Sequence, residues 1–328
     1  PKNGSNSEKI IVVNLVDLET YTEGVLQGEV YPSWELEALK AQAVAIRTYA
    51  MRKMEENKDK DYDVDDTVLS QVYLGKNDVE IFKKAVSETY GQILVYEGVP
   101  IKAHYFSSGG GMTENDNEVW LGGNGEPYLT AREDFDWVSP YYRWEEKFII
   151  KAEKLFSKLG IGSCSKGWIE PSIRSQDKIL AYKFSNGTNT INLTREEIRQ
   201  KLGLHSPRFS IAIKNTKGYE IPVENRINID SGSNILFDGV GKGHGVGLSQ
   251  WGAQGMALMC KSDGTPIYNY IDILKHYYSG VHLADNYNSS KKPVEPDISE
   301  SSYRINKGIK QLVEEYHKRS IIFQLLPE

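Results

Sequence analysis

The stretch GEVYPSWELEALKAQAVAIRTYA, residues 28–50, decides how the first part of the chain folds. Its apolar residues recur at spacings of three and four, the pattern of a helix with one buried face. They are Leu36, Leu39, Ala43, Ile46 and Ala50. We expect this helix to begin at Pro32-Ser33, with Ser33 as its cap. Lys40 and Arg47 fall within about 20° of each other on one flank of the face, so we expect them to border a cleft.

Glu29 stands just before this helix and just after another. The apolar run Ile10–Leu15 predicts a strand, and Asp17 is a suitable cap for a helix that stops at Gly28. The C-terminal end of a helix disfavours a carboxylate, which raises the pKa of Glu29 as a general acid requires. Lys40 and Arg47, if close, would lower that pKa, so the net shift stays open.

Composition narrows the class of protein. The chain has 328 residues, a net charge of -6, 20 Tyr and 6 Trp. Its lysines and arginines are scattered along the chain, which argues against nucleic-acid binding. Many aromatic residues with little net charge favour a neutral, hydroxyl-rich ligand such as a glycan. No apolar run is long enough to span a membrane. Residues 1–9 resemble a flexible tether, from which we expect an anchor to have been removed.

The two cysteines, Cys164 and Cys260, lie far apart, and neither has a nearby Cys or His at metal-ligand spacing. A single disulfide and two free thiols are equally compatible with this pattern. We therefore expect no metal site and no cofactor.

Two glycine-rich segments follow predicted strands. Ile101–Phe106 is expected to pair with Gln92–Tyr96 through a turn at Glu97-Gly98, and it leads into Ser107-Ser108-Gly109-Gly110-Gly111. The second segment, GKGHGVGLSQWG at 241–252, precedes a helix that we expect Ser249 to cap. It lacks the Gly-Lys-Ser/Thr ending of a phosphate-binding loop. Such a tight backbone is typical of a loop that presents side chains to a ligand.

The fold class predicted is α+β, a mixed helix and sheet core domain with an inserted smaller α+β lobe and a cleft between or beside them. The core comprises residues 10–143 and 234–285, and the insertion comprises residues 144–233. A linker at 286–302 precedes a tail at 303–328, which contains an amphipathic helix and the apolar run Ile321–Leu326. We expect that run to dock on this chain or on a second copy, so a homodimer is possible.

Other hydrolytic chemistries have weaker support. A serine nucleophile would need a combination such as Ser107 with His104 or His244, and no Gly-x-Ser-x-Gly sequence is present. Paired-carboxylate hydrolysis needs a second acid near Glu29. Glu114, Asp116 and Glu118 are candidates, although acids in a loop are normally solvated.

Four motifs in order give the chain a specific resemblance to the stage II sporulation protein D family. They are Leu18–Ala50, Gln71-Val72-Tyr73, Tyr105–Gly110 and Gly243–Ala253. The resemblance implies a lytic transglycosylase that cuts peptidoglycan glycan strands stripped of their stem peptides during engulfment of the forespore. The family's catalytic glutamate corresponds to Glu29, although Val30-Tyr31 replaces Met and shifts the proline by one. Its helix arginine corresponds to Arg47.

The resemblance also implies a mechanism with one carboxyl, which first acts as an acid and then as a base to form a 1,6-anhydro ring. Some relatives bind zinc through cysteines near Gln-Val-Tyr, but Val68, Leu69 and Ser70 stand there in this chain, so no metal is expected. Arg47 and Lys40 would orient Glu29 or stabilise charge. The residues expected to line the glycan groove are Lys40, Tyr105, Ser107, Ser108, His244 and Gln250.

By the same resemblance, the protein works outside the engulfing membrane. Its expected partners are glycan strands, an amidase/endopeptidase that removes stem peptides, and a membrane scaffold protein. Two alternatives remain open: a non-catalytic enhancer of a cell-wall amidase, and a lysozyme-type hydrolase that uses water. The active cleft is expected where Glu29, Arg47, Ser107 and His244 converge.

Overall fold

The computed structural model describes residues 12–65, 70–76, 78–163, 165–214, 218–285 and 320–325. The helices among these residues are α1 (Leu18–Glu29), α2 (Leu36–Glu56), α3 (Glu80–Glu88), α4 (Asp116–Val119), α5 (Ala152–Leu159), α6 (Arg195–Leu202), α7 (Gln250–Ala257) and α8 (Tyr270–Tyr277). The strands are β1 (Val12–Asp17), β2 (Val64–Asp65), β3 (Ile93–Tyr96), β4 (Val99–Pro100), β5 (Tyr105–Phe106), β6 (Phe148–Lys151), β7 (Lys166–Ser175), β8 (Lys178–Ser185), β9 (Thr190–Thr194), β10 (Phe209–Lys214), β11 (Glu220–Pro222), β12 (Ile227–Asp230), β13 (Asn234–Gly239), β14 (Leu248–Ser249), β15 (His282–Ala284) and β16 (Ser320–Leu325). The α+β class is confirmed.

The chain divides into two compact units, residues 1–103 with 281–328 and residues 104–280. This division places the first cut at residue 103, whereas the sequence predicts one at 143. The boundaries of the expected inserted lobe, 144 and 233, remain a prediction. The expected tether at 1–9, the linker at 286–302 and the helix of the tail lie outside the described residues.

Helix α2 is the centre of the first unit. All its residues from Ala41 to Ala50 are buried, so the helix is enclosed on every side and not only along the predicted seam. Asp17 caps α1 as expected, since its side chain accepts a hydrogen bond from the N–H of Thr20 at 3.0 Å. The predicted start of α2 at Ser33 is wrong. Residues 31–34 form a turn closed by the Trp34 N–H on the Tyr31 carbonyl at 3.1 Å, and this delays the helix.

Two small sheets complete the first unit. In one, β3 lies between β15 and β4, and the N–H of Leu94 donates to the Thr48 hydroxyl of α2 at 2.9 Å. In the other, β16 lies between β1, with which it is antiparallel, and β2, with which it is parallel. The C-terminal apolar run therefore docks on its own chain. The strand predicted over Ile101–Phe106 is confirmed only at Tyr105–Phe106 (β5), because the Ala103 N–H turns back onto the Ile101 carbonyl at 3.0 Å. The strand that pairs with β3 is β4 instead.

The second unit contains two four-stranded sheets and a short parallel pair. The sheet orders are β11-β10-β13-β6 and β12-β7-β8-β9, and β5 pairs with β14. A continuous apolar cluster draws all its buried members from residues between Ile150 and Phe237. Helix α6 begins with a capping box formed by Thr194 and Glu197, and Ser249 caps α7 as expected. The pair β5 and β14 aligns the two glycine-rich segments.

No helix among the described residues is long and apolar enough to cross a membrane. Cys260 is a free, exposed thiol, and Cys164 lies outside the described residues.

Candidate active site

Glu29 is the last residue of α1, and its side chain is half-buried. Its Oε1 atom accepts a hydrogen bond from the backbone N–H of Val72 at 3.2 Å. This confirms the predicted position at a helix end. A carboxyl group held at a helix end by a backbone donor is suited to exchange a proton with a bound ligand.

The segment that supplies this donor lies against one face of α1. Gly24 and Gly28 are four residues apart, so they share that face. A Cβ at Gly28 would lie 2.6 Å from the Val72 carbonyl oxygen, and a Cβ at Gly24 would lie 2.4 Å from the Tyr73 ring. Only glycine at both positions lets the segment approach closely enough for Val72 to reach Glu29.

Aromatic stacking and a side-chain amide also hold this segment against α1. The rings of Tyr73 and Tyr21 stack, with centroids 5.4 Å apart and an interplanar angle of 10°. The Tyr21 hydroxyl, buried inside the unit, donates to Oε1 of Gln71 at 3.1 Å. Burial raises the pKa of Tyr21 well above its ordinary value, so this hydroxyl keeps its proton. The Gln-Val-Tyr motif therefore positions the Glu29 carboxyl.

Arg47 is fully buried and pairs with Glu19 of the first turn of α1. Its Nη2 lies 2.5 Å from Oε2 of Glu19, and its Nε donates to both oxygens of that carboxylate at 3.1 Å. Its Nη1 donates to the Gln92 carbonyl at 3.1 Å. Within the described residues, none of the hydrogen bonds of Arg47 reaches Glu29. The guanidinium joins α1, α2 and the start of β3, which is the geometry of a positioning residue.

Lys40 also forms ion pairs with carboxylates. Its Nζ lies 2.8 Å from Glu37 and 2.6 Å from Glu88. Both cations that the sequence sets against the negative end of α1 are thus paired with other acids. The negative end of α1 and the Val72 N–H both lie at the Glu29 carboxyl.

The two residues that follow Glu29 differ in burial. Val30 has an extended backbone and is 6% exposed, whereas Tyr31 is 58% exposed. Val30 therefore separates the half-buried Glu29 from an exposed tyrosine. The Tyr31 ring is tilted against Trp34, with centroids 5.8 Å apart, and Trp34 is buried. An exposed aromatic residue therefore follows the candidate acid by two positions in the chain.

In the second unit, two buried acids hold the Ser107–Gly111 segment. Asp136 accepts hydrogen bonds from the hydroxyl of Ser108 and from the N–H groups of Gly110 and Gly111, the latter two at 2.7 and 2.9 Å. Asp134 accepts from the Gly109 N–H at 2.9 Å. Ser108 is 1% exposed, so its hydroxyl serves the loop itself.

Asp134 is surrounded by hydroxyl donors as well. The Tyr277 hydroxyl donates to it at 2.8 Å, and Ser249 also hydrogen-bonds it. Burial, followed by the nearby charge of Asp136, raises the pKa of Asp134 to about 7. The conformation of the loop is thus linked to a carboxyl group that titrates near neutrality.

The glycines of the second segment permit close backbone packing. Gly241, Gly243, Gly245 and Gly247 all have positive φ. A Cβ at Gly247 would lie 2.1 Å from the His104 carbonyl oxygen. The alternation lets this segment run along residues 104–108 with almost no space between the two backbones.

His244 is half-buried among aromatic rings. Its ring centroid lies 5.3 Å from that of Trp120, 5.6 Å from Phe106 and 5.9 Å from His104. Burial, with the charges of His104 and Arg199, lowers the pKa of His244 to about 3, so the imidazole is neutral near pH 7. Its Nδ1 accepts from the Val246 N–H at 3.1 Å, which places the ring proton on Nε2.

The other predicted groove residues lie on the paired strands and the helix that follows. Tyr105 in β5 and Ser107 are half-buried, and the Ser107 carbonyl accepts from the Trp251 N–H at 3.0 Å. Gln250 opens α7 and is 7% exposed. These three residues and His244 lie in one region of the second unit, since β5 pairs with β14.

Glu114 is buried, contrary to the expectation of a solvated loop acid. Its Oε2 pairs with Lys178 at 2.9 Å and its Oε1 with Arg208 at 3.2 Å. Arg195 is farther away, with Nη2 3.7 Å from Oε2 of Glu114. Lys178 also pairs with Glu118 at 3.1 Å. Ion pairs with Lys178 and Arg208 occupy both oxygens of Glu114, so this carboxyl group has a structural role in the second unit.

The predicted site residues thus fall into two sets, one in each unit. Glu29, Lys40 and Arg47 belong to the first unit, and the groove residues from Tyr105 onward belong to the second. Their convergence in one cleft remains a prediction. Two surface pockets, lined by residues 148–158 and by residues 144–148 with 203–205, contain none of these side chains.

Sequence reasoning did not identify Glu19, Asp134 or Asp136 as partners of the predicted residues. Asp134 and Asp136 flank Phe135 in a loop, and no local sequence pattern indicates that they bind a segment 25 residues earlier. Within the described ranges, no group of three or more His, Cys, Asp or Glu side chains could hold a metal ion.

Comparisons with known proteins identify the family of this chain. The model of the family described as Stage II sporulation protein (SpoIID) matches residues 6–96, which include α1, α2 and the Gln-Val-Tyr segment. Stage II sporulation protein D of Bacillus subtilis is 34% identical over 293 residues, covering 83% of this chain and 76% of that protein.

Two further relatives are similar over most of the chain. An uncharacterised protein of Brachyspira hyodysenteriae is 34% identical, covering 89% of this chain and 73% of its own length. The amidase enhancer of Bacillus subtilis is 30% identical, covering 80% of this chain and 40% of its own length. With its helix-end glutamate, its buried arginine and a relative matched over most of both lengths, this chain belongs to the stage II sporulation protein D family.

Proposed function

We propose that this protein is a lytic transglycosylase that cleaves MurNAc-GlcNAc bonds in peptidoglycan strands without stem peptides, with Glu29 as acid and base. The observation that carries the proposal is the setting of Glu29 at the end of α1, fixed by the Val72 N–H inside the segment matched by the family model. A single positioned carboxyl group is sufficient for this reaction.

In the first step, the Glu29 carboxyl gives its proton to the glycosidic oxygen, and the bond from that oxygen to C1 of muramic acid breaks. The resulting carboxylate then takes the proton of the C6 hydroxyl of the same sugar. The C6 oxygen bonds to C1 and closes a 1,6-anhydro ring. The proton returns to Glu29 and no water is consumed, so a second acid such as Glu114 is not needed.

Arg47 acts in this proposal through the scaffold. Its fork onto Glu19 holds α1 against α2, so the end of α1 keeps its place relative to the Val72 donor. The neutral His244 is suited to line the substrate groove and not to exchange protons, because its pKa of about 3 leaves it uncharged near pH 7.

The test is mass spectrometry of products from glycan strands freed of stem peptides, incubated with wild type and with Glu29→Gln. Wild type is expected to give anhydro-ended fragments, each lighter by one water than the product of hydrolysis. Glu29→Gln keeps the shape and the acceptor for Val72 but cannot release a proton, so it is expected to give none. Reducing-end products from wild type would instead indicate a lysozyme-type hydrolase.

A second candidate function is enhancement of a cell-wall amidase without cleavage of glycan. The relative named amidase enhancer favours it. Under this function, Glu29→Gln would stimulate an amidase as well as wild type does, and neither protein would cut denuded strands.

Location and partners follow from the same proposal. The substrate lies outside the cell membrane, so the protein works there, tethered to the membrane of the sporulating cell. An amidase/endopeptidase must remove stem peptides first, and a membrane scaffold protein would keep the two enzymes together. Co-purification from sporulating cells, with Glu29→Gln to trap the substrate, tests these partners.

A further inference from the structure

Trp120 presents an exposed indole in the second unit. It is 39% exposed, and its ring is braced by His104 at 5.0 Å and by His244 at 5.3 Å between centroids. The rings of this cluster are tilted by 48° to 50° to the indole, so they hold it in place from the side. A fixed, partly exposed indole offers an apolar face to the C–H face of a pyranose ring.

The Glu114 cluster adjoins these rings through the backbone. The Glu114 N–H donates to the Gly245 carbonyl at 2.7 Å, and Gly245 follows His244. On the other side, Glu118 lies two residues before Trp120 and pairs with Lys178, which also pairs with Glu114. The indole and the charged cluster are therefore neighbours within one unit.

Arg195 is the surplus cation of this cluster. Both oxygens of Glu114 already have a nearer partner, and at 3.7 Å the contact with Arg195 exceeds a hydrogen bond. The Nε and Nη2 atoms of Arg195 are buried and make no hydrogen bond. The whole side chain is only 10% exposed. Buried donors without acceptors are costly, and a guanidinium is best satisfied by the fork of a carboxylate.

The charges in the cluster do not balance. Lys178, Arg195 and Arg208 carry three positive charges, and Glu114 and Glu118 carry two negative ones. One positive charge remains, on the residue whose donors are unsatisfied. An anionic ligand would complete both the charge and the hydrogen bonds.

We propose that Trp120, with His104 and His244, and Arg195 form a subsite for an acidic amino sugar, namely muramic acid whose lactyl carboxylate is free. The indole stacks on the sugar ring, and the guanidinium binds the carboxylate. The inference rests on the proposed function for the identity of the glycan and adds a reason for selecting strands without stem peptides. A lactyl group in amide linkage to a peptide carries no charge, so it would leave Arg195 unsatisfied.

The experiment measures calorimetric binding of a GlcNAc-MurNAc disaccharide with a free lactyl carboxylate and of the same disaccharide as its primary carboxamide. All proteins carry Glu29→Gln in the full chain, so binding is separated from cleavage. The acid is expected to bind about tenfold more tightly than the amide, as a charge-assisted pair predicts. Equal binding of the two ligands would overturn the proposal without any further substitution.

Variants then test separately whether Arg195 binds the carboxylate and whether Trp120 stacks on the sugar ring. Arg195→Gln is expected to abolish the preference for the acid, whereas Arg174→Gln, which removes an exposed guanidinium of the same unit, keeps it. Trp120→Ala is expected to weaken both ligands about tenfold, and Trp137→Ala, with 51% exposure, to weaken neither. A preference that survives Arg195→Gln, or unchanged binding by Trp120→Ala, would overturn the corresponding assignment.

Thermal melting of each variant separates loss of a contact from loss of the fold. Should Arg195→Gln fail to fold, Arg195→Lys retains the charge without the fork and is expected to reduce the preference only in part. Failure of the proposed function is distinguishable from failure of the subsite, because wild type would then produce no anhydro-ended fragments, whatever the binding experiment shows.

Discussion

The fully buried guanidinium of Arg47 forms an ion pair with the carboxylate of Glu19 across the interface of α1 and α2. The Nη2 atom of Arg47 lies 2.5 Å from Oε2 of Glu19. A buried pair of this kind is destabilising when only one partner is removed, because the other charge is left uncompensated. Arg47→Gln is therefore expected to lower the free energy of unfolding by about 3 kcal/mol or more. Chemical denaturation of the full chain measures this.

Lys53→Gln serves as the control, since Lys53 pairs with Glu56 on the same helix at the surface and such pairs contribute about 1 kcal/mol or less. A catalytic role for Arg47 would give a different experimental result. Glycan cleavage would be lost while the denaturation midpoint stayed at that of wild type, and the positioning assignment would be wrong.

Gly28→Ala is expected to destabilise the protein by about 1 to 3 kcal/mol, as overpacking does, and to reduce glycan cleavage. In an ordinary helix the same change stabilises by about 1 kcal/mol. Here the added Cβ would meet the Val72 carbonyl oxygen at 2.6 Å and push the Val72 N–H away from Glu29.

Gly123→Ala is the matched change, because the nearest atom to its added Cβ is 3.9 Å away. It should stay within about 0.5 kcal/mol of wild type. If Gly28→Ala is as stable and active as Gly123→Ala, close docking of the Gln-Val-Tyr segment is not what positions Glu29.

Tyr31→Ala is expected to raise the KM for denuded glycan about tenfold, with a smaller change in kcat, through loss of an aromatic contact beside the acid. Tyr31→Phe keeps the ring and should resemble wild type. Tyr90 of the same unit is equally exposed, at 58%, so Tyr90→Ala controls for loss of a surface tyrosine. Equal kinetics for Tyr31→Ala and Tyr90→Ala would exclude a substrate contact.

The raised pKa of Asp134 predicts how the free energy of unfolding depends on pH. Its folded-state pKa of about 7 lies above the ordinary value of 3.8, so the native state binds the proton more tightly than the unfolded state. The resulting stabilisation is full below about pH 4 and is lost as pH rises toward and through 7.

Melting temperatures of wild type and Asp134→Asn between pH 5 and pH 8 check this. The variant cannot ionise, so the stability of wild type relative to the variant should fall across this range. Parallel curves for the two proteins would show that Asp134 does not titrate there.

Much of the first unit could be predicted because its signals are local. The cap at Asp17, the end of α1 at Glu29 and the helical repeat of residues 36–50 all lie within a few turns of chain. The sequence places the start of α2 too early, at Ser33, because the turn at 31–34 is closed by a backbone hydrogen bond that residue types do not predict.

The pairing of the site residues was less predictable because it is long-range. Helical geometry correctly puts Lys40 and Arg47 on one flank, but the partner of Arg47 lies 28 residues away on another helix. Likewise, the alternating glycines at 241–247 indicate a tight backbone, yet only the fold shows that residues 104–108 fill the space.

The placement of β15 and β16 sets the order in which the protein can be completed during synthesis. β15 completes the sheet that β3 begins with β4, and β16 lies between β1 and β2. The first unit therefore needs strands that leave the ribosome after all of the second unit. The second unit, residues 104–280, emerges whole before them and can fold first. A nascent chain halted before residue 320 would therefore carry a complete second unit and a first unit in which β1 and β2 lack the strand between them.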